Sequence, residues 1–344
     1  MPFPAETYPW HAAPWALAQA ALGSDRVPHA WLFAGAEGLG KLAFAERLAA
    51  RLLCETPSAD GDACGSCRGC RLLAAGSHPD FTRVRLLQKG ERLAGKTLSS
   101  DSTSLRIDQV REMIATLSLS AQYGRYKVAL LAPADLLVPA AANALLKTLE
   151  EPTANTVLIL VAARPWRLPA TVRSRCQVLG FAVPARAQAE AWLAGRGVAA
   201  KDAGGLLGLA EGRPLQALEL AGSDAVAARA ATFDGFAGVL EGRADPLSVA
   251  ASWAGDAAQR LRWAAGWMVD LARLASVGEQ AVIDSPDLAA RLHPLAQRID
   301  LVQLFNRLDQ LQESRRLLDT QVNTQLLCEQ LLLDWDALAR RPGA

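Results

Sequence analysis

One stretch constrains this chain more than any other. The short apolar run Ala30–Ala34 leads directly into Gly35-Ala-Glu-Gly38-Leu-Gly40-Lys41-Leu42, and a helical pattern runs from Lys41 to Leu53. The spacing is G-x-x-x-x-G-K, the loop whose backbone N–H groups cradle phosphate at a helix N-terminus. A strand, a glycine turn and a helix in that order commit this part of the chain to an α/β arrangement. The residue after the lysine should be Ser or Thr, because that hydroxyl holds Mg²⁺. Here it is Leu42, which cannot ligate a metal. An acid is also required at the end of another buried strand. The candidate strand Lys127–Leu131 is followed instead by Ala132 and Pro133. Asp135, beyond that proline, reads as a loop or cap residue, or else as an unusual metal ligand. The two defects imply a loop retained and hydrolysis lost. Weak nucleotide binding through Gly35, Gly38, Gly40 and Lys41 stays open.

The rest of the first 180 residues alternates short apolar runs with helical patterns. Strands are predicted at Ala30–Ala34, Phe81–Arg85, Lys127–Leu131, Thr156–Val161 and Cys176–Leu179, with helices at Lys41–Leu53, Ile107–Leu119 and Ala140–Glu151. Continuous apolar strands between helices imply a largely parallel, doubly wound sheet. The polar segment Gln88–Ser104 reads as an inserted surface loop. Beyond Phe181 no convincing strand remains. Residues 181–222, punctuated by glycines, read as a small helical domain, and residues 223–344 as helical throughout. There Leu301, Leu304, Phe305, Leu308 and Leu311 follow the spacing of one buried helix face. After a break near Thr320, Val322, Leu326, Leu327, Leu331 and Leu332 mark another helix. A plain helical bundle and a dedicated oligomerisation domain fit this region equally.

Composition narrows the class. With 344 residues, 51% hydrophobic and 21% charged, the chain is long enough for two or three domains with buried cores. A net charge of +1 argues against a free-standing nucleic-acid binder, which normally carries a clear basic excess. Residues 1–10 lack the pattern of a signal peptide and no apolar stretch is long enough to span a membrane, so a cytoplasmic location is expected.

Four of the six cysteines crowd one segment, Cys54, Cys64, Cys67 and Cys70, at C-x9-C-x2-C-x2-C. Such a set suits a tetrahedral structural zinc, with no open position for water. Buried free cysteines or a disulfide pair are the bland alternative. Cys176 and Cys328 read as core residues.

Arg175 stands at the start of the last strand in Arg173-Ser174-Arg175-Cys176. It reads as a solvated arginine or as one that reaches a neighbour's phosphate. The helix before it, Ala-Asn143-Ala-Leu145-Leu146-Lys147-Thr-Leu149-Glu150-Glu151-Pro152, sets Asn143, Lys147 and Glu150 opposite an apolar face. That stripe is a solvated surface or an intersubunit one.

His29, the loop Gly35–Lys41, the cysteine cluster, the Asn143–Pro152 helix and Ser174-Arg175-Cys176 together resemble the bacterial DNA polymerase III clamp-loader subunits, of the delta-prime type. The likeness covers about residues 1–220. The gamma/tau ATPase subunits share the cysteine cluster, but they carry Ser or Thr after the loop lysine and an Asp-Glu pair where this chain has Ala132-Pro133. The stretch Gly212-Arg213-Pro214 resembles the delta-prime form, though Arg213 falls out of register with a nucleotide-sensing arginine. The resemblance implies an AAA+ (RecA-like) domain with an inserted zinc module, a small helical lid and a C-terminal all-α collar. It implies an ATPase-inactive stator in a heteropentamer with gamma/tau and delta subunits. Arg175 would act in trans on a neighbour's ATP, and the assembly would load the sliding clamp onto primed DNA within the polymerase III holoenzyme. An active gamma/tau-like ATPase and a zinc-dependent DNA-binding module are the competing readings.

Overall fold

The computed structural model describes residues 6–23, 27–93, 95–119, 121–123, 125–222, 224–318 and 322–339, in two compact units spanning residues 1–188 and 189–344. In the first unit the strands are β1 (Ala30–Ala34), β2 (Phe81–Val84), β3 (Arg92–Leu93), β4 (Lys96–Thr97), β5 (Lys127–Leu131), β6 (Thr156–Ala162) and β7 (Gln177–Gly180). Five of them form one parallel sheet in the order β2-β5-β6-β1-β7. The helices are α1 (Ala12–Gly23), α2 (Lys41–Leu53), α3 (Arg68–Ala74), α4 (Ile107–Leu117), α5 (Pro139–Glu150) and α6 (Ala170–Arg173).

The central strands are apolar on both faces because both faces are covered. On one side Val128, Leu130, Val157, Ile159 and Val161 meet Phe33 of β1 with Phe44, Leu48 and Leu52 of α2. On the other, Ala129, Leu131, Leu158 and Leu160 meet Val110 and Met113 of α4 with Leu145 and Leu149 of α5. Neighbouring residues alternate between two separate cores, so a one-residue slip of register would exchange them. This is the parallel sheet covered by helices on both faces that the sequence implies. The predicted strands shift by a residue at β2, β6 and β7, and the segment 88–104 carries the small antiparallel hairpin β3-β4.

The second unit begins within α7 (Arg186–Ala194) and continues through α8 (Ala200–Leu209), α9 (Pro214–Ala221), α10 (Ala225–Leu240), α11 (Pro246–Trp253), α12 (Ala257–Val277), α13 (Ala289–Ala296), α14 (Leu301–Leu317) and α15 (Thr324–Ala339). Trp253, Trp267 and Trp335 are fully buried, with Phe236 edge-on to Trp335 at 5.5 Å. Leu206, Leu207 and Ala217 share one continuous buried cluster with these rings. The residues read as a separate lid therefore pack into the same core as those read as a collar. On α14, Leu304 and Leu311 are buried as expected, but Phe305 is 48% exposed. The helical period alone does not decide between adjacent stripes. Leu326 of α15 is likewise exposed while Leu331 and Leu332 are buried. Thr320 and Ser223, at the expected break and boundary, lie outside the described residues. Among the described residues no helix is long and apolar enough to cross a membrane.

Candidate functional site

A parallel sheet has two unlike edges, and the candidate residues divide between them. At the C-terminal edge, β1 runs into the phosphate loop. Gly38 and Gly40 both have φ 78°, the left-handed region that favours glycine. Gly35 is required by a close approach, since a Cβ there would lie 2.3 Å from the Phe181 carbonyl oxygen. Lys41 opens α2 and is buried, its Nζ donating to the Ala36 carbonyl of its own loop at 2.6 Å. Leu42 is partly exposed beside it.

An N-terminal segment that sequence reasoning passed over closes on this loop. The Leu39 carbonyl accepts from Trp10 Nε1 at 2.9 Å and from His11 Nε2 at 2.8 Å. Tyr8 and Trp10 stack at 5.1 Å, and a Cβ on Gly40 would lie 2.4 Å from the Tyr8 ring. His11 packs edge-on to Phe44 and Phe181, and burial holds its pKa below the usual imidazole range. The aromatics crowded near the N-terminus were the available signal, but their target lies 28 and 29 residues away.

Ala132 and Pro133 follow β5, as read from the sequence, and Asp135 has other work. Its two carboxylate oxygens accept from the backbone N–H groups of Ala163 and Arg164 at 3.2 and 3.3 Å, and Arg164 Nε lies 3.5 Å away. It ties the turn after β5 to the turn after β6, as a loop residue does.

The N-terminal edge holds the other groups. Arg175 precedes β7, whose Gln177 pairs with Trp31 while Gly180 pairs with Ala34. The strands thus carry Arg175 and the phosphate loop to opposite ends of the sheet, roughly 15–20 Å apart at about 3.3 Å per residue. Arg175 sits in the turn leaving α6 and not on the strand itself, with its N–H donating to the Val172 carbonyl. Its Nη1 donates to the Thr171 carbonyl at 2.8 Å and its Nη2 pairs with Glu150 Oε1 at 2.6 Å. His29 Nε2 donates to the Leu149 carbonyl at 3.1 Å, fixing the end of α5 to the start of β1. Asn143, Lys147 and Glu150 are all exposed, opposite buried Leu145 and Leu149.

The four clustered cysteines also lie toward this edge, after α2. All are free, and their sulfurs lie within 4.8 Å of one another. Cys54 and Cys67 are 3.9 Å apart, Cys64 and Cys70 4.0 Å. Zn–S bonds of about 2.3 Å in a tetrahedron demand sulfur separations of about 3.8 Å, so the donor set fits. Backbone N–H groups of Cys64, Cys67 and Cys70 donate to the sulfurs of Cys54, Cys64 and Cys67 at 3.3, 3.3 and 3.4 Å. The Thr56 hydroxyl, donating to Cys64, lowers that thiol's pKa to about 5, while burial raises those of Cys54 and Cys70. Several contacts hold the module to its domain, among them Gln19 Nε2 of α1 donating to the Asp60 carbonyl at 2.7 Å. Asp62 takes a bidentate pair from Arg47 of α2, and the Arg68 guanidinium lies 4.0 Å over the Tyr123 ring.

Three further residues complete the set. Cys328 is buried and Cys176 is partly buried, and burial pushes both thiols up to about 11. Arg213 is buried, with its Nε donating to the Ala210 carbonyl at 2.6 Å within the turn that starts α9.

Comparison with known proteins adds a second line. Residues 10–185 match the family described as DNA polymerase III, delta subunit, and residues 223–337 the family described as DNA polymerase III, delta subunit, C terminal. DNA polymerase III subunit delta' of Pseudomonas aeruginosa is 34% identical over 340 residues, covering 97% of this chain and 98% of that protein. The protein of the same description from Escherichia coli is 35% identical over 287 residues, 83% of this chain and 82% of its own length. DNA polymerase III subunit tau of Escherichia coli is 32% identical over 155 residues, only 45% of this chain and 22% of that protein.

Proposed function

Since the chain belongs to the DNA polymerase III subunit delta' family of clamp-loader subunits, we propose that it works as a stator that serves a neighbour's ATP chemistry and not its own. The observation that carries this reading is the division between the two sheet edges. The edge with the phosphate loop has Leu42 and Ala132-Pro133 where magnesium needs oxygen ligands, and Asp135 is engaged by the backbone of Ala163 and Arg164. The opposite edge presents Arg175, which cannot reach its own loop across the length of the strands.

In this reading Gly35, Gly38, Gly40 and Lys41 build the turn into α2 and hold ATP weakly or not at all. Arg175 stabilises the charge that develops on the γ-phosphate of ATP bound to an adjacent gamma/tau subunit, an effect worth roughly 10³ to 10⁵ in rate where such arginines act. The surface stripe of Asn143, Lys147 and Glu150 lies in that subunit contact. Cys54, Cys64, Cys67 and Cys70 hold a structural zinc, which supplies a cross-link and no reaction step. The helical region read as lid (181–222) and collar (223–344), which shares one core from Ala189 onward, joins the gamma/tau and delta subunits of a heteropentamer. The assembly opens the sliding clamp and places it on primed DNA in the bacterial cytoplasm.

Two measurements test the reading. The isolated chain should show no Mg²⁺-dependent ATP hydrolysis above a Lys41→Ala control. In a reconstituted loader, Arg175→Ala should leave assembly intact and sharply lower ATP turnover. Steady hydrolysis by the chain alone, abolished by Lys41→Ala, would return it to the active ATPases.

A further inference from the structure

Arg175 is held by its own domain before any neighbour is met. Its two anchors come from different elements, the Thr171 carbonyl in α6 at 2.8 Å from Nη1 and the Glu150 carboxylate at the last residue of α5 at 2.6 Å from Nη2. Glu150 is itself well placed to act as a fixed post. Leu145 and Leu149, both buried, set the roll of α5, and the His29 bond to the Leu149 carbonyl pins its end to the sheet. The pair lies at the surface, with the Arg175 side chain 34% exposed and that of Glu150 50% exposed. A guanidinium is a planar fork of five N–H donors, so it can be anchored at two of them and still engage a phosphate with others.

We infer that Glu150 is a positioning residue for Arg175, holding the guanidinium in one rotamer for a phosphate group carried by a neighbouring subunit. The inference rests on the trans reading of Arg175 given above. A free arginine would give up its rotamer freedom on meeting the phosphate, whereas a tethered one has given it up beforehand. The opposing effect is repulsion between the Glu150 carboxylate and the phosphate. At a half-exposed carboxylate, water and salt screen that repulsion strongly, so the gain from ordering prevails. Glu150 touches neither nucleotide nor reacting atoms in this scheme and acts only through the arginine.

The test is a mutant cycle in the reconstituted loader with its neighbouring ATPase subunit: Glu150→Gln, Arg175→Ala and both together. Turnover and the KM for ATP are read in each, and assembly is checked by size-exclusion chromatography. Glu150→Gln should lower kcat about fivefold, the scale of losing an exposed ion pair, with KM unchanged within about twofold. Added to Arg175→Ala, it should change nothing further. The inference is overturned if Glu150→Gln keeps the parent kcat, or if it lowers kcat by the same factor with and without Arg175. Loss of assembly in Glu150→Gln but not in Arg175→Ala also overturns it, since that gives Glu150 a partner other than the arginine. Parent-like turnover in Arg175→Ala is a separate result, which removes the trans reading and this inference with it.

Discussion

The two edges of the one sheet have been treated oppositely. At the C-terminal edge polar groups turn inward: Lys41 donates to its own loop, Asp135 caps a neighbouring turn, and Trp10 and His11 both donate to the Leu39 carbonyl. At the N-terminal edge polar groups stay at the surface. Glu150 and half-buried Arg175 are tied to each other at the surface, with exposed Asn143 and Lys147 on the helix that carries Glu150. The difference teaches that a phosphate-loop fold can keep its backbone while the polar groups around the loop are spent on holding its own turns. The glycines at 35 and 40 are still demanded by close approach to Phe181 and Tyr8, whatever the loop holds.

The comparison breaks most readily through a pair of substitutions in the reconstituted loader. Arg175→Ala should lower ATP turnover by about 10³ or more, and Lys41→Ala in this chain should leave it within about twofold. Similar losses from both would mean that the two edges are not divided in function. Next in size is removal of zinc by chelation from a zinc-loaded chain, which should cost on the order of several kcal/mol in a denaturant titration. It should also free the Tyr123 loop, read as faster amide exchange at Gln122 and Tyr123. Their N–H groups donate to Asp80 at 2.8 Å, beside the Arg68 contact. Unchanged exchange there would deny the module any role in bracing this edge.

Gly40→Ala should be milder. The left-handed backbone costs an L-residue roughly 1–2 kcal/mol, and the Tyr8 ring must also move. The denaturation midpoint should fall while loader turnover stays at the parent level. The smallest effect is with pH. Burial lowers the folded-state pKa of His11 below its unfolded value of about 6.5, so protonation favours the unfolded chain. Its contribution is present above that value and is lost as pH falls toward the lowered pKa. The urea midpoint should therefore drop between about pH 7 and about pH 5, and His11→Gln should flatten that slope. An equally steep profile in the variant would place the sensitivity elsewhere.

Much of this was legible in the sequence because the signals are local. β1 and β5 were read at their true limits, since buried parallel strands are continuous apolar runs. The loop, the absent ligands at 42, 132 and 133, and the cysteine spacing are contiguous strings. What escaped depends on distance along the chain. Nothing near Tyr8, Trp10 and His11 announces a contact with Leu39 and Gly40. Glu150 was read as part of a polar stripe, but its ion pair with Arg175 forms only once α5 and α6 fold against one sheet edge. Phe305 was assigned to a buried face because a 3.6-residue period tolerates either of two adjacent stripes. Leu206, Ala217 and Trp335 in one cluster likewise carry no sequence mark of their common core.

The opposition of rims has a consequence for symmetry. If a subunit offers an arginine at one end of its strands and a phosphate loop at the other, it can give to one neighbour and receive from another only through two different surfaces. Such head-to-tail contacts, repeated by a rotation, run around a ring or arc instead of ending in a closed pair. In such an assembly the direction in which the strands of the sheet run sets the sense of the whole circuit.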